Sequence, residues 1–127
     1  MGKSDYRKDW NYAQVPRGTN EGTTWSIAFD LPKAPRGRAT LRLGIAAASI
    51  RGGIQVAVNG QSAGSTTPLS DAATIRRDGI RGYWSERSVA FDANRLKSGA
   101  NVLQLTIPRG GAMSGVEYDY LRLELSN

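Results

Sequence analysis

Neither cysteine nor histidine occurs among the 127 residues of this chain. Without cysteine there is no disulfide framework and no thiolate zinc site. Without histidine the commonest general base and the commonest metal ligand are lost together, which excludes histidine triads and histidine-bound metal hydrolases. Paired carboxylates remain a route to acid–base chemistry, but only 11 acids are present, most in charged, turn-like surroundings. No apolar run is long enough to cross a membrane, and no charged-then-apolar leader opens the sequence. The length suits one ordinary domain, able to bury roughly two-thirds of the surface that its unfolded chain exposes.

What is present is basic. Seventeen Lys and Arg give a formal charge of +6. A positive field favours nucleic acid, acidic lipid or acidic polysaccharide. Much of the excess is arginine, whose planar fork grips a carboxylate or phosphate through two parallel hydrogen bonds. A mildly basic surface also serves solubility alone. The cations are spread over several strands and turns with no recognised RNA- or DNA-reading motif, so neither a nucleic acid nor a membrane is expected as partner.

Hydrophobic periodicity is that of strands. Residues 1–9 form a polar N-terminal arm, and Trp10 to Val15 is a short strand candidate. Over Thr23 to Leu31, Trp25, Ile27, Phe29 and Leu31 share one face, as a half-buried strand requires. From Arg38 to Ala48 the inward set is Leu41, Leu43, Ile45 and Ala47, and the small residues Ala46 to Ala48 suit a place where another layer comes close. Ile54, Val56 and Val58 alternate up to Asn59-Gly60, a tight-turn signal. Gln61 to Ser70 is small and polar and reads as the longest loop. Val89 and Phe91 alternate, Ala93 to Gly99 is a turn or single helical turn, and Leu103, Leu105 and Ile107 point inward from the next strand. The last strand, Val116 to Leu125, is irregular. Its leucines 121, 123 and 125 oppose Val116, Tyr118 and Tyr120, so either both faces are covered or a bulge near Tyr120 reverses them. Seven or eight short strands with no helix of any length predict a single all-β domain over residues 1–127, a jelly-roll β-sandwich of two antiparallel sheets.

The densest chemistry lies in residues 75–87, IRRDGIRGYWSER. Arg76, Arg77, Arg81 and Arg87 accompany Tyr83 and Trp84. Arginine forks suit carboxylates, and an exposed ring stacks on the apolar face of a sugar. On a strand Tyr83 and Trp84 point to opposite sides, so one of the two is available. Against this, Asp78 and Glu86 can pair with neighbouring arginines, leaving the segment purely structural. Trp10 and Tyr12 share a face and are read as covering a sandwich edge; Trp25 is read as core. Arg51-Gly52-Gly53 and Arg109-Gly110-Gly111 do not lead into helices and are turns, which widen a positive rim if they lie at one end of the sandwich.

The runs TTWSIAFDLP, RATLRLGIAAA, IQVAVNG, IRRDGIRGYW, NVLQLT and GVEYDYLRLEL resemble the C-terminal domain of rhamnogalacturonan lyases of polysaccharide lyase family 4. The resemblance runs from about Trp10 to Leu125. It implies a carbohydrate-binding-module-like jelly roll that in the parent enzymes follows a large catalytic sandwich and a small fibronectin-like domain. The family's catalytic lysine and histidine belong to the large domain, so the resemblance implies no lyase chemistry in this chain. It implies instead a non-catalytic module for acidic pectic polysaccharide (rhamnogalacturonan or polygalacturonate), detached from a larger secreted lyase and therefore extracellular. The alternative it implies is a structural domain that packs against and stabilises the catalytic domain of the parent lyase. Related jelly rolls hold a structural calcium with an acid from the final strand, which points to Asp119, with Asp5, Asp9 and Glu21 as conceivable partners. Nothing in their spacing ties them together, and a hydrogen-bonded aspartate anchoring a loop is the preferred reading. No cofactor is otherwise expected.

Overall fold

The computed structural model describes residues 22–50, 52–69, 84–110 and 115–126. Among these it contains seven strands: β1 (Thr23–Leu31), β2 (Arg38–Ser49), β3 (Gln55–Val58), β4 (Gln61–Ser65), β5 (Ser85–Asp92), β6 (Gly99–Ile107) and β7 (Gly115–Leu125), with one 3-10 turn at Ala93–Arg95. They form two antiparallel sheets, ordered β1-β6-β3-β4 and β5-β2-β7. This is the expected jelly-roll sandwich. The core lies between the sheets, where Leu41, Leu43, Val56, Val58, Leu105 and Ile107 are almost fully buried. Each such side chain contributes roughly 1.5–3 kcal/mol by leaving water, so this layer, rather than any surface pair, holds the fold.

The alternation of β1 is as expected, but β1 is an edge strand, and Trp25, Ile27, Phe29 and Leu31 are only half-buried against the core. β4 corrects the reading of Gln61 onward as loop. Gln-Ser-Ala-Gly-Ser has no β-branched or large apolar residue, so its own preference for a strand is weak. The turn imposes it: Asn59 and Gly60 both have positive φ, 51° and 81°, the geometry that returns a chain directly along its neighbour.

Asn59 also ties that turn to the rest of the domain. Its Nδ2 donates to the Arg95 carbonyl at 2.8 Å and to Asn101 Oδ1 at 2.9 Å, while its Oδ1 accepts from the Val102 N–H at 2.9 Å. Asn101, 1% exposed, accepts from the Lys97 N–H and donates to the Lys97 and Gly99 carbonyls. A polar group is tolerated at such depth only when its bonds are made.

Register sets the two ends of the sandwich. Thr23 pairs with Ile107, Gln55 with both Ser65 and Thr106, and Ser49 with Gly115. One end therefore collects the starts of β1, β3, β5 and β7 with the finishes of β2, β4 and β6. Gly52, Gly53, Arg109 and Gly110 lie there together, and the chain leaves for residues 70–83 and returns at Trp84 at this same end. Asn59, Lys97 and Asn101 lie at the other. Substituting Asn101→Ala should orphan the Lys97 N–H and one bond of Asn59 together, and cost about 3 kcal/mol in a urea unfolding titration.

Candidate functional site

β7 has a discontinuous register against β2. Gly44 pairs with Tyr120, but Ile45 pairs with Tyr118 and Ala47 with Glu117. Asp119 is thus an extra residue on β7 and Ala46 an extra residue on β2. The first bulge resolves the conflict within GVEYDYLRLEL. Leu121 and Leu123 stand opposite the buried Leu43 and Leu41 and face the core. Beyond Asp119 the alternation is reset, so Tyr118 and Val116 face the core as well. Tyr118 stacks at 5.4 Å on Trp25, and burial pushes its phenol pKa up. Tyr120, just before the reset, is left on the outer face with Arg122 and Glu124. The second bulge corrects the expectation for Ala47: Ala48, opposite Val116, joins the core cluster, whereas Ala47, though buried, does not.

The outer face of β5-β2-β7 carries one connected constellation. Arg42 sits on the central strand, opposite Arg122 on β7 and Ser88 on β5. Its Nη1 donates to Glu86 Oε1 at 2.9 Å and its Nε to Glu124 Oε2 at 3.0 Å, so it ties both flanking strands together. Arg122 Nη2 reaches Glu124 Oε1 at 2.6 Å. The Tyr120 hydroxyl donates to the second oxygen of Glu86. The Cδ1–Cε1 edge of the Tyr120 ring lies over the outer side of Gly44, where a Cβ would overlap both atoms. Only glycine leaves room for it.

Trp84 completes the arrangement. It immediately precedes β5, shares the outward parity of Glu86, and is 54% exposed. Its indole Nε1 donates to Asp119 Oδ2 at 3.0 Å, and its ring lies 6.3 Å from that of Tyr120, tilted by 32°. β5 and β7 flank β2 on opposite sides, so the indole must span β2 to reach the bulge. The small residues of β2 in this region, Gly44 and Ala46, leave space for that crossing. A large aromatic face is thus held towards solvent by a hydrogen bond at one edge and a second ring beside it, at the end of the sandwich where residues 70–83 join the fold.

Of the residues singled out from sequence, Trp84, Glu86 and Asp119 are brought into this site. Arg76, Arg77, Arg81 and Tyr83 lie outside the described residues, as do Asp78, Trp10 and Tyr12. Arg87 faces the other way. It stands opposite the buried Leu43, is half-buried, and gives Nη1 to the Glu86 carbonyl at 3.0 Å, while its Nε is buried without a hydrogen-bond partner. Glu86 does pair with an arginine, but with Arg42 of β2 rather than with one from its own segment. Asp119 accepts the indole N–H of Trp84 and so anchors the residue that leads into β5. Among the described residues no group of three or more acidic side chains gathers to hold a metal ion, and Asp5, Asp9 and Glu21 lie outside them. Arg42, Tyr120, Arg122 and Glu124 were missed. Their only signal was the alternation RLRLG against YLRLEL, which is ambiguous until the bulge sets which face is outer.

The charges are mutually adjusted. The Tyr120 hydroxyl, and then Arg42, hold the Glu86 carboxyl below its ordinary range, and Arg42, aided by Arg122, does the same for Glu124. The bond to Glu86 raises Tyr120 in return.

A family model described as "CBM-like: Polysaccharide lyase family 4, domain III" matches residues 1–123. The rhamnogalacturonate lyase of Dickeya dadantii (strain 3937) is 31% identical over 131 residues, a match to 97% of this chain. The chain spans only 21% of that relative's length. Among solved structures, the family 35 carbohydrate-binding module from Cellvibrio japonicus Abf62 superposes with a TM-score of 0.54 at 20% identity, covering 87% of this chain and 75% of that one. The Xyl-CBM35 module, solved in complex with a disaccharide containing glucuronic acid, gives 0.53 at 20% identity, covering 84% and 73%. At these identities the likeness establishes the fold alone, a two-sheet β-sandwich.

Two outcomes follow for the site. Carboxylates whose folded values are depressed stabilise above their ordinary value of 4.5 and lose that contribution as pH falls through the folded value. Thermal melts between about pH 6 and pH 3 should therefore fall less steeply for Glu86→Gln and Glu124→Gln than for the parent protein. Gly44→Ala should displace the Tyr120 ring, break its bond to Glu86 and cost about 1–3 kcal/mol, read by urea unfolding together with a change in Trp84 fluorescence.

Proposed function

This chain belongs to the CBM-like domain III family of polysaccharide lyase family 4, and we propose that it holds acidic pectic polysaccharide, rhamnogalacturonan or polygalacturonate, for a larger secreted lyase. The observation that carries this reading is the exposed indole of Trp84, fixed across β2 by Asp119 and flanked by Tyr120. The indole is both exposed and fixed in orientation by its hydrogen bond. Its face suits the C–H side of a pyranose, because the ring is apolar, flat and polarisable. Fixing it beforehand lowers the ordering cost that a ligand must meet.

The acidic character of the ligand is supported by the charge of +6 and by where that charge falls. The arginine-rich stretch joins the fold at Trp84, and Arg109 lies at the same end of the sandwich. The same likeness to a module solved with a glucuronic-acid-containing disaccharide is consistent with a uronate ligand. The domain supplies affinity and orientation here, and bond cleavage belongs to another part of the lyase. In this role the protein acts outside the cell, where pectin is found.

The same exposed indole would serve a second role, as an anchor on the catalytic domain of the parent lyase, since interface anchors are enriched in tryptophan. Calorimetric titration separates the two. Binding of oligogalacturonate or rhamnogalacturonan fragments that weakens as salt rises from about 20 to 300 mM supports the glycan reading. Trp84→Ala should then reduce the affinity at least tenfold, about 1.4 kcal/mol, without lowering the melting temperature. No heat with any pectic fraction at low salt, together with a raised melting temperature when a separate lyase domain is added, would establish the docking role instead.

A further inference from the structure

Resting on the reading of Trp84 as a sugar platform, we propose that Arg122 is the specificity-determining residue of the site, taking the carboxylate of a uronate whose neighbouring sugar lies on the Trp84–Tyr120 pair. Two described cations lie on this outer face beside the aromatic pair, and they are not equivalent. Arg42 is committed on both sides, to Glu86 through Nη1 and to Glu124 through Nε, at 2.9 and 3.0 Å. Its side chain is 35% exposed, against 60% for Arg122. Arg122 gives only Nη2, to Glu124, which leaves the remaining edge of its planar fork turned to solvent without a partner among the described residues. That edge is the shape a carboxylate takes in a two-point hydrogen bond.

Placement agrees with this. Arg122 and Tyr120 are two residues apart on β7 and share its outer face, a separation of about 7 Å along the strand. A sugar seated on the rings therefore has its neighbour along β7 above Arg122. The local charge makes this cation decisive. Beside the aromatic pair, the described carboxylates of Glu86 and Glu124 are paired with Arg42 and Arg122, and that of Asp119 holds the indole. Among the described residues beside the rings, the guanidinium that protrudes beyond its paired acid is that of Arg122. Glu124 remains tied to Arg42 if Arg122 is changed, so the sheet keeps its central clamp.

The test compares an oligogalacturonate with its carboxyl-reduced, neutral counterpart by titration calorimetry on the whole chain. The parent protein should prefer the acidic oligomer by about tenfold, the scale of one charge-assisted hydrogen bond. Arg122→Gln should abolish that preference by weakening the acidic oligomer about tenfold. Arg122→Lys, which keeps the charge and loses the fork, should restore only part of it. Trp84→Ala should weaken both oligomers alike. An acid preference that survives Arg122→Gln overturns the assignment of Arg122 while leaving the platform standing. Equal affinity of the parent protein for the two oligomers overturns it as well. Indifference of both oligomers to Trp84→Ala overturns the platform, and the assignment of Arg122 falls with it.

Discussion

One extra residue, Asp119, decides what the outer sheet displays. A strand that alternated without interruption from Gly115 to Leu125 would have to choose between its tyrosines and its leucines, burying one set and exposing the other. The bulge removes the choice. Leu121, Leu123, Tyr118 and Val116 all contribute to one core, while Tyr120 remains outside with Arg122 and Glu124. The displaced residue is then used. Its carboxylate, no longer part of a regular pair, receives the indole of Trp84. Bulges commonly re-aim a side chain beside a functional site, and here the re-aimed group positions an aromatic ring from the far side of the sheet.

The core and the outer constellation have separate tasks. Burial of aliphatic side chains between the sheets is far larger in free energy than exposed ion pairs, which water and salt screen. The Arg42 network is therefore a poor candidate for holding the sandwich together. Its value is geometric: it joins all three strands, presents Glu86 to Tyr120, and through Tyr120 gives Trp84 a neighbour. Gly44 is the hinge between the two tasks, because its missing Cβ lets the Tyr120 ring lie directly on the backbone of β2. At the opposite end, the Asn59–Asn101 cluster does the corresponding work for the turns, satisfying buried polar groups that would otherwise disfavour the fold.

Much of this fold could be read along the chain. Period-two alternation located β1, β2, β3, β6 and β7 because each has one apolar face against a single core, and Asn59-Gly60 announced its turn. β4 was not legible, since Gln61 to Ser65 offers no strand preference of its own and is a strand only because the turn returns it alongside β3. Of the candidate site, Trp84 was legible through its place beside an arginine-rich run, Glu86 as the partner of an arginine and Asp119 as a hydrogen-bonded anchor. Arg87, from the same run, faces the core side of β5, a consequence of parity that becomes definite only when the start of the strand is known.

Composition and periodicity by themselves determined that this chain is an all-β sandwich, that no cysteine or histidine chemistry is open to it, and that an aromatic ring lies amid basic residues near Trp84. Those properties depend on residue types and on contacts between near neighbours in sequence. Which aromatic is displayed, and what stands beside it, was decided by the tertiary structure alone. Arg42 and Gly44 come from β2, Asp119 from β7 and Trp84 from just before β5, and their meeting depends on strand order and on a register shift of one residue. A shift of that size leaves every local pattern intact while exchanging the inner and outer faces of a strand.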